Sequence, residues 1–198
     1  MVWMGSERPM SGAATVVAEG LFAMTPVATP EGWVPAGELG PGDPVLTFDN
    51  GVQTVSTVFS APFQDAPAEL WPLRVPAWAL DNRDEIVLLP QQKVLLESDL
   101  AEQMYGDPFA LIPAEALEFW RGIARFKPSV GQEVVQLCFE TPQVLYASRG
   151  VLLSCAGQNW TREDWADPGF SCYSSAQARH LVACHMAEDV GASLRKEG

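Results

Sequence analysis

The chain has 198 residues, enough for one well-packed core, and its 47% hydrophobic content with 7 Trp and 9 Phe excludes a disordered polypeptide. A formal net charge of −13, with basic residues scattered at Arg74, Arg83, Lys93, Arg121, Arg125 and Lys127, leaves no positive stripe, which excludes nucleic acid and anionic lipid as partners. No apolar run approaches the roughly 20 residues that span a bilayer, and Glu19 interrupts what would otherwise read as the apolar core of a secretory signal.

Residues 1–19 are small and polar at their start and lack periodicity, so they read as a loose leader. From Val27 onward the pattern is β. Turn formers gather at Glu31-Gly32 and again at Gly40-Pro41-Gly42-Asp43, so the strands between them must be short. Val45–Phe48 and Val52–Phe59 flank Asn50-Gly51, the pair that best supplies the positive φ of a tight hairpin turn. Residues 60–84 interleave Pro62, Pro67, Pro72 and Pro76 with Trp71 and Trp78, which predicts an irregular or edge-strand stretch packed by aromatic rings.

Ile86–Leu89 and Val94–Leu96 read as buried strands on either side of Pro90–Lys93. Short helices are predicted at Ser98–Tyr105 and at Pro113–Leu117, where Pro suits a first helical position. Val134–Phe139, Val144–Ala147 and Val151–Leu153 resume the β pattern, and the class is all-β. The tail differs: Ser174-Ser175-Ala176-Gln177 resembles a capping box, and apolar positions recur at helical spacing up to Gly191. One terminal helix is expected over about 175–190. Cys138, Cys155, Cys172 and Cys184 are widely spaced with no C-x-x-C, which favours a reduced, cytoplasmic setting and leaves export without a classical signal as the alternative.

Three groups of side chains invite a functional reading. Cys172, His180, Cys184 and His185 are zinc-type donors, but Cys184 and His185 point about 100° apart on a helix, so no metal and no other cofactor is expected. Glu97, Asp99 and Glu102 surround Ser98, where acidic residues favour a helix start and need no catalytic role. Trp71, Pro72 and Trp78 are the place to look for a protein or peptide partner, with core packing as the competing explanation.

The run Thr25–Trp33 followed by Leu39-Gly40-Pro41-Gly42-Asp43-Pro44-Val45-Leu46-Thr47-Phe48-Asp49 is similar to the opening block of bacterial Hint (hedgehog/intein) domains. Leu89–Leu96 resembles the second block of that family, and Phe139–Gly150 its closing block. The resemblance implies a Hint-like, pseudo-symmetric, horseshoe-shaped β-fold over residues 20–157, with short helices and a C-terminal extension, 158–198, that carries a helix. It also implies a self-processing reaction. A nucleophile at the domain's first residue attacks the preceding carbonyl, while a Thr and a His of the second block and a His of the closing block handle protons.

In this sequence those family positions fall at Gly20, Leu89, Gln92 and Gln143, none of which can act as nucleophile or move a proton. The chain's two histidines, His180 and His185, lie outside the resemblance. A degenerate, non-catalytic member serving as a structural or protein-interaction module is therefore expected, of open oligomeric state. The alternative is an autoprocessing peptidase with a non-standard nucleophile, Thr25 or Cys155. Thr25 has no base beside it in the sequence, and Cys155 follows Leu153-Ser154 rather than the Asn that splicing needs.

Overall fold

The structure is a computed structural model that describes residues 18–157 and 169–196. Most of the leader, residues 1–17, and the start of the extension, residues 158–168, lie outside the described residues. Strand β1 (Leu21–Phe22) opens the body. β2 (Pro26–Thr29) and β3 (Gly32–Pro35) then form a hairpin, closed where Thr29 Oγ1 donates to the Gly32 carbonyl at 2.8 Å. The hairpin at Asn50-Gly51 joins β4 (Pro44–Thr47) to β5 (Gly51–Thr54). Thr47 Oγ1 donates to the Gly51 carbonyl and accepts from the Asn50 N–H, and Gly51 supplies the φ of 66° that the turn requires.

The second arm of that hairpin does not run unbroken to Phe59. Val55 and Ser56 interrupt it, and β6 (Thr57–Pro62) belongs to a different sheet. The cause is an exchange of hydrogen-bond partners: the Val55 N–H still reaches the Asp43 carbonyl, while the Ser56 N–H already reaches Cys138. Val55 itself is buried, so the crossing is anchored in the core.

Next come β7 (Leu73–Val75), β8 (Ile86–Leu88), β9 (Lys93–Glu97) and helix α1 (Asp99–Tyr105). Ser98 caps α1, its Oγ accepting from the Ala101 N–H, and Gly106 ends it in the left-handed conformation. The chain continues through β10 (Phe109–Pro113), β11 (Ala124–Arg125), β12 (Glu133–Cys138), β13 (Gln143–Ala147), β14 (Val151–Cys155), β15 (Ser171–Cys172) and helix α2 (Ser175–Lys196). Two expectations need correction. The stretch 60–84 contains an edge strand, β6, but also β7, which lies inside its sheet between β11 and β8. The helix expected over Pro113–Leu117 is a single 3-10 turn, Ala114–Leu117, because Phe109–Pro113 is drawn into pairing with β9.

One sheet has the order β11-β7-β8-β1-β12-β6, and the other runs β15-β10-β9-β14-β13-β2-β3 with β4 on β13 and β5 on β4. Val27, Val45, Leu73, Leu88, Ile112, Leu137, Leu145 and Leu153, from both sheets, are buried in one continuous core. Helix α2 adds Ala178, Leu181 and Val182 to it, beside the Ala114–Leu117 turn, α1 and β10. The helix starts with Ser174 and Gln177 bonded reciprocally, and it continues past Gly191 because that residue keeps a helical backbone. Its far half is tied down by Asp189, which accepts from Trp120 Nε1 and from two nitrogens of Arg121.

Candidate functional site

The chain enters the body at Glu19-Gly20 and leaves it at Ser154–Gly157, and the fold brings these two places together. β1 pairs with both β8 and β12, β14 pairs with β9, and Phe139 bridges to Gly157. A cavity of about 430 Å³ lies between entry and exit, lined by Glu19, Gly20, Gln92, Cys138 and Cys155, among others. One wall is a face of the β6–β12 ladder, where Thr57 opposes Cys138 and Phe59 opposes Gln136 in register.

Gln92 joins the two ends. Its side chain is buried; Oε1 accepts from the Gly20 N–H at 3.2 Å, and Nε2 donates to the Ser154 carbonyl at 2.9 Å and the Lys93 carbonyl at 3.1 Å. One amide thus clamps chain segments 72 and 62 residues away. The position is set by a turn in which the Gln92 N–H bonds the Leu89 carbonyl, just before β9 begins. The carbonyl of Glu19 accepts from Gln136 Nε2 at 3.0 Å, so both polar groups of the Glu19–Gly20 peptide are held by side-chain amides.

Gly20 has a φ of 129°, a backbone state that side chains rarely adopt. A Cβ there would lie 2.9 Å from Val134 Cγ1 and 3.0 Å from the Val135 carbonyl oxygen. The site therefore has no room for a side chain at its first residue.

The titratable groups of the cavity are shifted toward their neutral forms. Burial raises the Glu19 carboxyl from its ordinary 4.5 to about 8, with Lys93 opposing the shift. Burial raises the Cys155 thiol far above its usual range, helped by the charges of Glu19 and Cys138, and burial also raises Cys138. Neither thiol is disposed to form the thiolate a nucleophile needs.

Of the residues singled out from sequence, Gly20, Gln92 and Cys155 meet in this cavity. Leu89 is buried nearby but faces Phe22, Phe63 and Val134. Gln143 is buried on β13, where it accepts from Asn50 Nδ2 at 3.0 Å and donates to Thr141, outside the cavity lining. Thr25 is buried after β1, its carbonyl accepting from the Ala36 N–H, and it too stands outside the lining. Trp71 donates Nε1 to the Ala66 carbonyl, Pro72 is buried, and Trp78 is 68% exposed.

His185 Nε2 lies 2.9 Å from Ser98 Oγ with Trp120 stacked on its ring, whereas His180 meets Tyr105 and Cys172 meets Lys93. Among the described residues, no three His, Cys, Asp or Glu side chains gather in a cluster able to hold a metal. Glu97, Asp99 and Glu102 stay around the capped start of α1, away from the cavity. Sequence reasoning missed Phe59, Gln136 and Cys138 as cavity residues, and it treated Glu19 only as a break in an apolar run. Their alternation on paired strands was a usable signal for one shared face, but nothing local placed that face beside residue 19.

A family model described as a Hint domain matches residues 20–153. Among solved structures, the chain is similar to a bacterial intein-like domain from Clostridium thermocellum, with 13% identity and a TM-score of 0.46 over 68% of this chain and 97% of that one. It is also similar to the Msm DnaB1 intein splicing domain bound with zinc, at 19% identity and a TM-score of 0.41 over 69% and 98%. A third match is the gp41-1 intein, at 17% identity and a TM-score of 0.41 over 69% and 97%. No curated protein sequence matches significantly.

Proposed function

The chain belongs to the Hint-domain family, and from that premise we propose that it is a degenerate member: the self-processing chemistry is lost, and the fold serves as a structural or protein-interaction module. The observation that carries this reading is the pair Gly20 and Gln92. Family processing needs a thiol or hydroxyl at the first residue and a proton donor to the departing amide. Here the first residue has no space for a Cβ, and the group on its N–H is an amide that has no proton to exchange near neutral pH.

Gln92 still performs the structural part of the task, since it orients the Glu19–Gly20 peptide and ties it to the exit strand. Both histidines sit on α2, and neither lines the cavity. The competing reading, autoprocessing with Cys155 as nucleophile, draws on the place of that thiol in the same cavity; its raised pKa weighs against it. The four cysteines are free, and no helix of the described residues is long and apolar enough to cross a membrane. On those grounds the proposed setting is the reducing cytoplasm.

The deciding experiment is the intact mass of purified full-length protein, fresh and after long incubation with and without dithiothreitol. An unchanging mass of 21.5 kDa is expected. A thiol-dependent cut beside Gly20 or after Ser154 overturns the proposal in favour of self-processing.

A further inference from the structure

The backbone strain of this fold gathers in one corner. Among the described residues, positive φ at non-glycine positions occurs at Trp78, Asp81, Phe119, Arg121, Ser148 and Arg149, which sit on three loops that touch one another. β7 and β11 pair antiparallel, so the loop leaving β7 and the loop entering β11 emerge side by side, and Arg121 Nη1 donates across them to the Ala79 carbonyl at 3.3 Å. The third loop closes against the first: Arg149 Nη1 lies 3.7 Å from the Asp84 carboxylate, and the Asp81 carbonyl oxygen stands where a Cβ on Gly150 would lie. Buried Asn82 fixes the first loop from within, its Oδ1 accepting from the Leu80 N–H and its Nδ2 donating to the Pro76 and Asp84 carbonyls. Left-handed backbone at bulky residues persists only where the surroundings impose it. What this framework holds out is a pair of rings, Trp78 at 68% and Phe119 at 76% exposure.

Exposed aromatic rings on a rigid support are the common anchors of a protein interface. The charges around them say which partner fits. Four ion pairs cover this corner, among them Arg121 with Asp189 and Arg125 with Glu118, both at 2.9 Å, so it is close to neutral in a chain of net charge −13. Asp81 and Arg83 are exposed, opposite in charge, and enter no ion pair among the described residues. We propose that this corner is a self-association face: a second copy of the chain docks on it about a two-fold axis, Trp78 and Phe119 against their counterparts, with Asp81 of each copy opposite Arg83 of the other.

A two-fold arrangement needs a patch that complements itself, and one acid beside one base supplies that, since the same contact forms twice. The net charge of −13 opposes contact between copies wherever acidic surface meets acidic surface, which leaves a neutral, aromatic face as the favoured orientation. The backbone under each ring is fixed before contact, so association loses little conformational freedom there. The inference rests on the reading of the fold as an interaction module, and it fails separately from the loss of processing. Residual processing shortens the chain, whereas a missing self-interface leaves it intact and monomeric.

The test is sedimentation equilibrium of the full chain at about 2–200 µM, the range that separates a weak two-anchor interface from none. Dithiothreitol is present throughout, because the four cysteines are free and a disulfide dimer must be prevented. The mass is expected to rise with concentration from 21.5 kDa toward twice that value. Trp78→Asn with Phe119→Asn, which places a residue tolerant of positive φ at two exposed positions, weakens association by about tenfold or more. Arg83→Asp and Asp81→Lys each weaken it too. An equimolar mixture of those two variants associates more strongly than either alone, because one presents two acids and the other two bases. A monomer throughout this range, association unchanged by the double asparagine variant, or no recovery on mixing overturns the proposal. So does a monomeric chain that co-sediments with phosphatidylcholine vesicles through Trp78, which makes the face a membrane contact.

Discussion

Replacing Glu19 by Gln removes a carboxyl that the fold holds in an environment hostile to its charge, so the variant is expected to be more stable than the parent, by an amount that depends on pH. In the unfolded chain the group ionises around 4.5, and in the folded chain around 8. Between those values the folded state binds the extra proton, so parent stability falls as pH rises through this window and levels off above about 8. Each tenfold difference in proton affinity is worth 1.36 kcal/mol, which gives a ceiling of about 5 kcal/mol above pH 8 and about 3 kcal/mol at pH 7. Water reaching the carboxyl through the cavity lowers this, so about 1–3 kcal/mol is expected at pH 7. Urea unfolding of parent and Glu19→Gln at pH 4, 7 and 8.5 measures it. The two proteins should coincide at pH 4, diverge by pH 7 and diverge most at pH 8.5. A stability difference that stays constant across the three pH values refutes the argument, because it shows that Glu19 ionises in the folded protein as it does in water.

Gly20→Cys, which restores a thiol at the family's first position, should not restore cleavage and should destabilise the fold by about 2–4 kcal/mol through backbone strain and crowding against Val134. Thermal melting with intact mass in thiol checks it, and a stable, cleaving variant contradicts it. Gln92→Leu deprives the Gly20 N–H and the Ser154 carbonyl of their partner and should cost about 2–4 kcal/mol in urea unfolding; a loss under about 0.5 kcal/mol means the clamp is not structural. Burial lowers the His185 pKa from 6.5, so the docking of α2 is fully supported above that value and weakens as pH falls through the lowered pKa. Hydrogen exchange of α2 amides at pH 7 and 5 should show this loosening. Ser98→Ala, which loses the α1 cap and the bond to His185, should cost about 1–2 kcal/mol at pH 7.

The amino-acid sequence was enough for features encoded within a few residues of one another. Asn50-Gly51 specifies its hairpin because a tight turn needs positive φ, and Ser98 specifies the start of α1 because its hydroxyl satisfies a free N–H of the first turn. Ser174 and Gln177 begin α2 by the same local logic. The lack of histidine in the blocks that resemble the family was legible too, since the chain's two histidines, His180 and His185, lie beyond them. The all-β class followed from the alternation of apolar runs and turn formers.

What remained for tertiary structure were decisions between partners distant in sequence. The apolar pattern runs on through Val55-Ser56, and only the competition between Asp43 and Cys138 for consecutive amides sends β5 and β6 into different sheets. β10 is a strand because β9 is there to pair with it, although its Pro113 boundary reads locally as a helix start. The site is the clearest case. Glu19, Gln136 and Ser154 each look unremarkable in the sequence, Gln92 stands out there only by its place in the second resembling block, and the roles of all four arise from hydrogen bonds that span 62 to 117 residues. Burial, which moves the Glu19 carboxyl to about 8, is a property of the surroundings that strands from across the chain build around it.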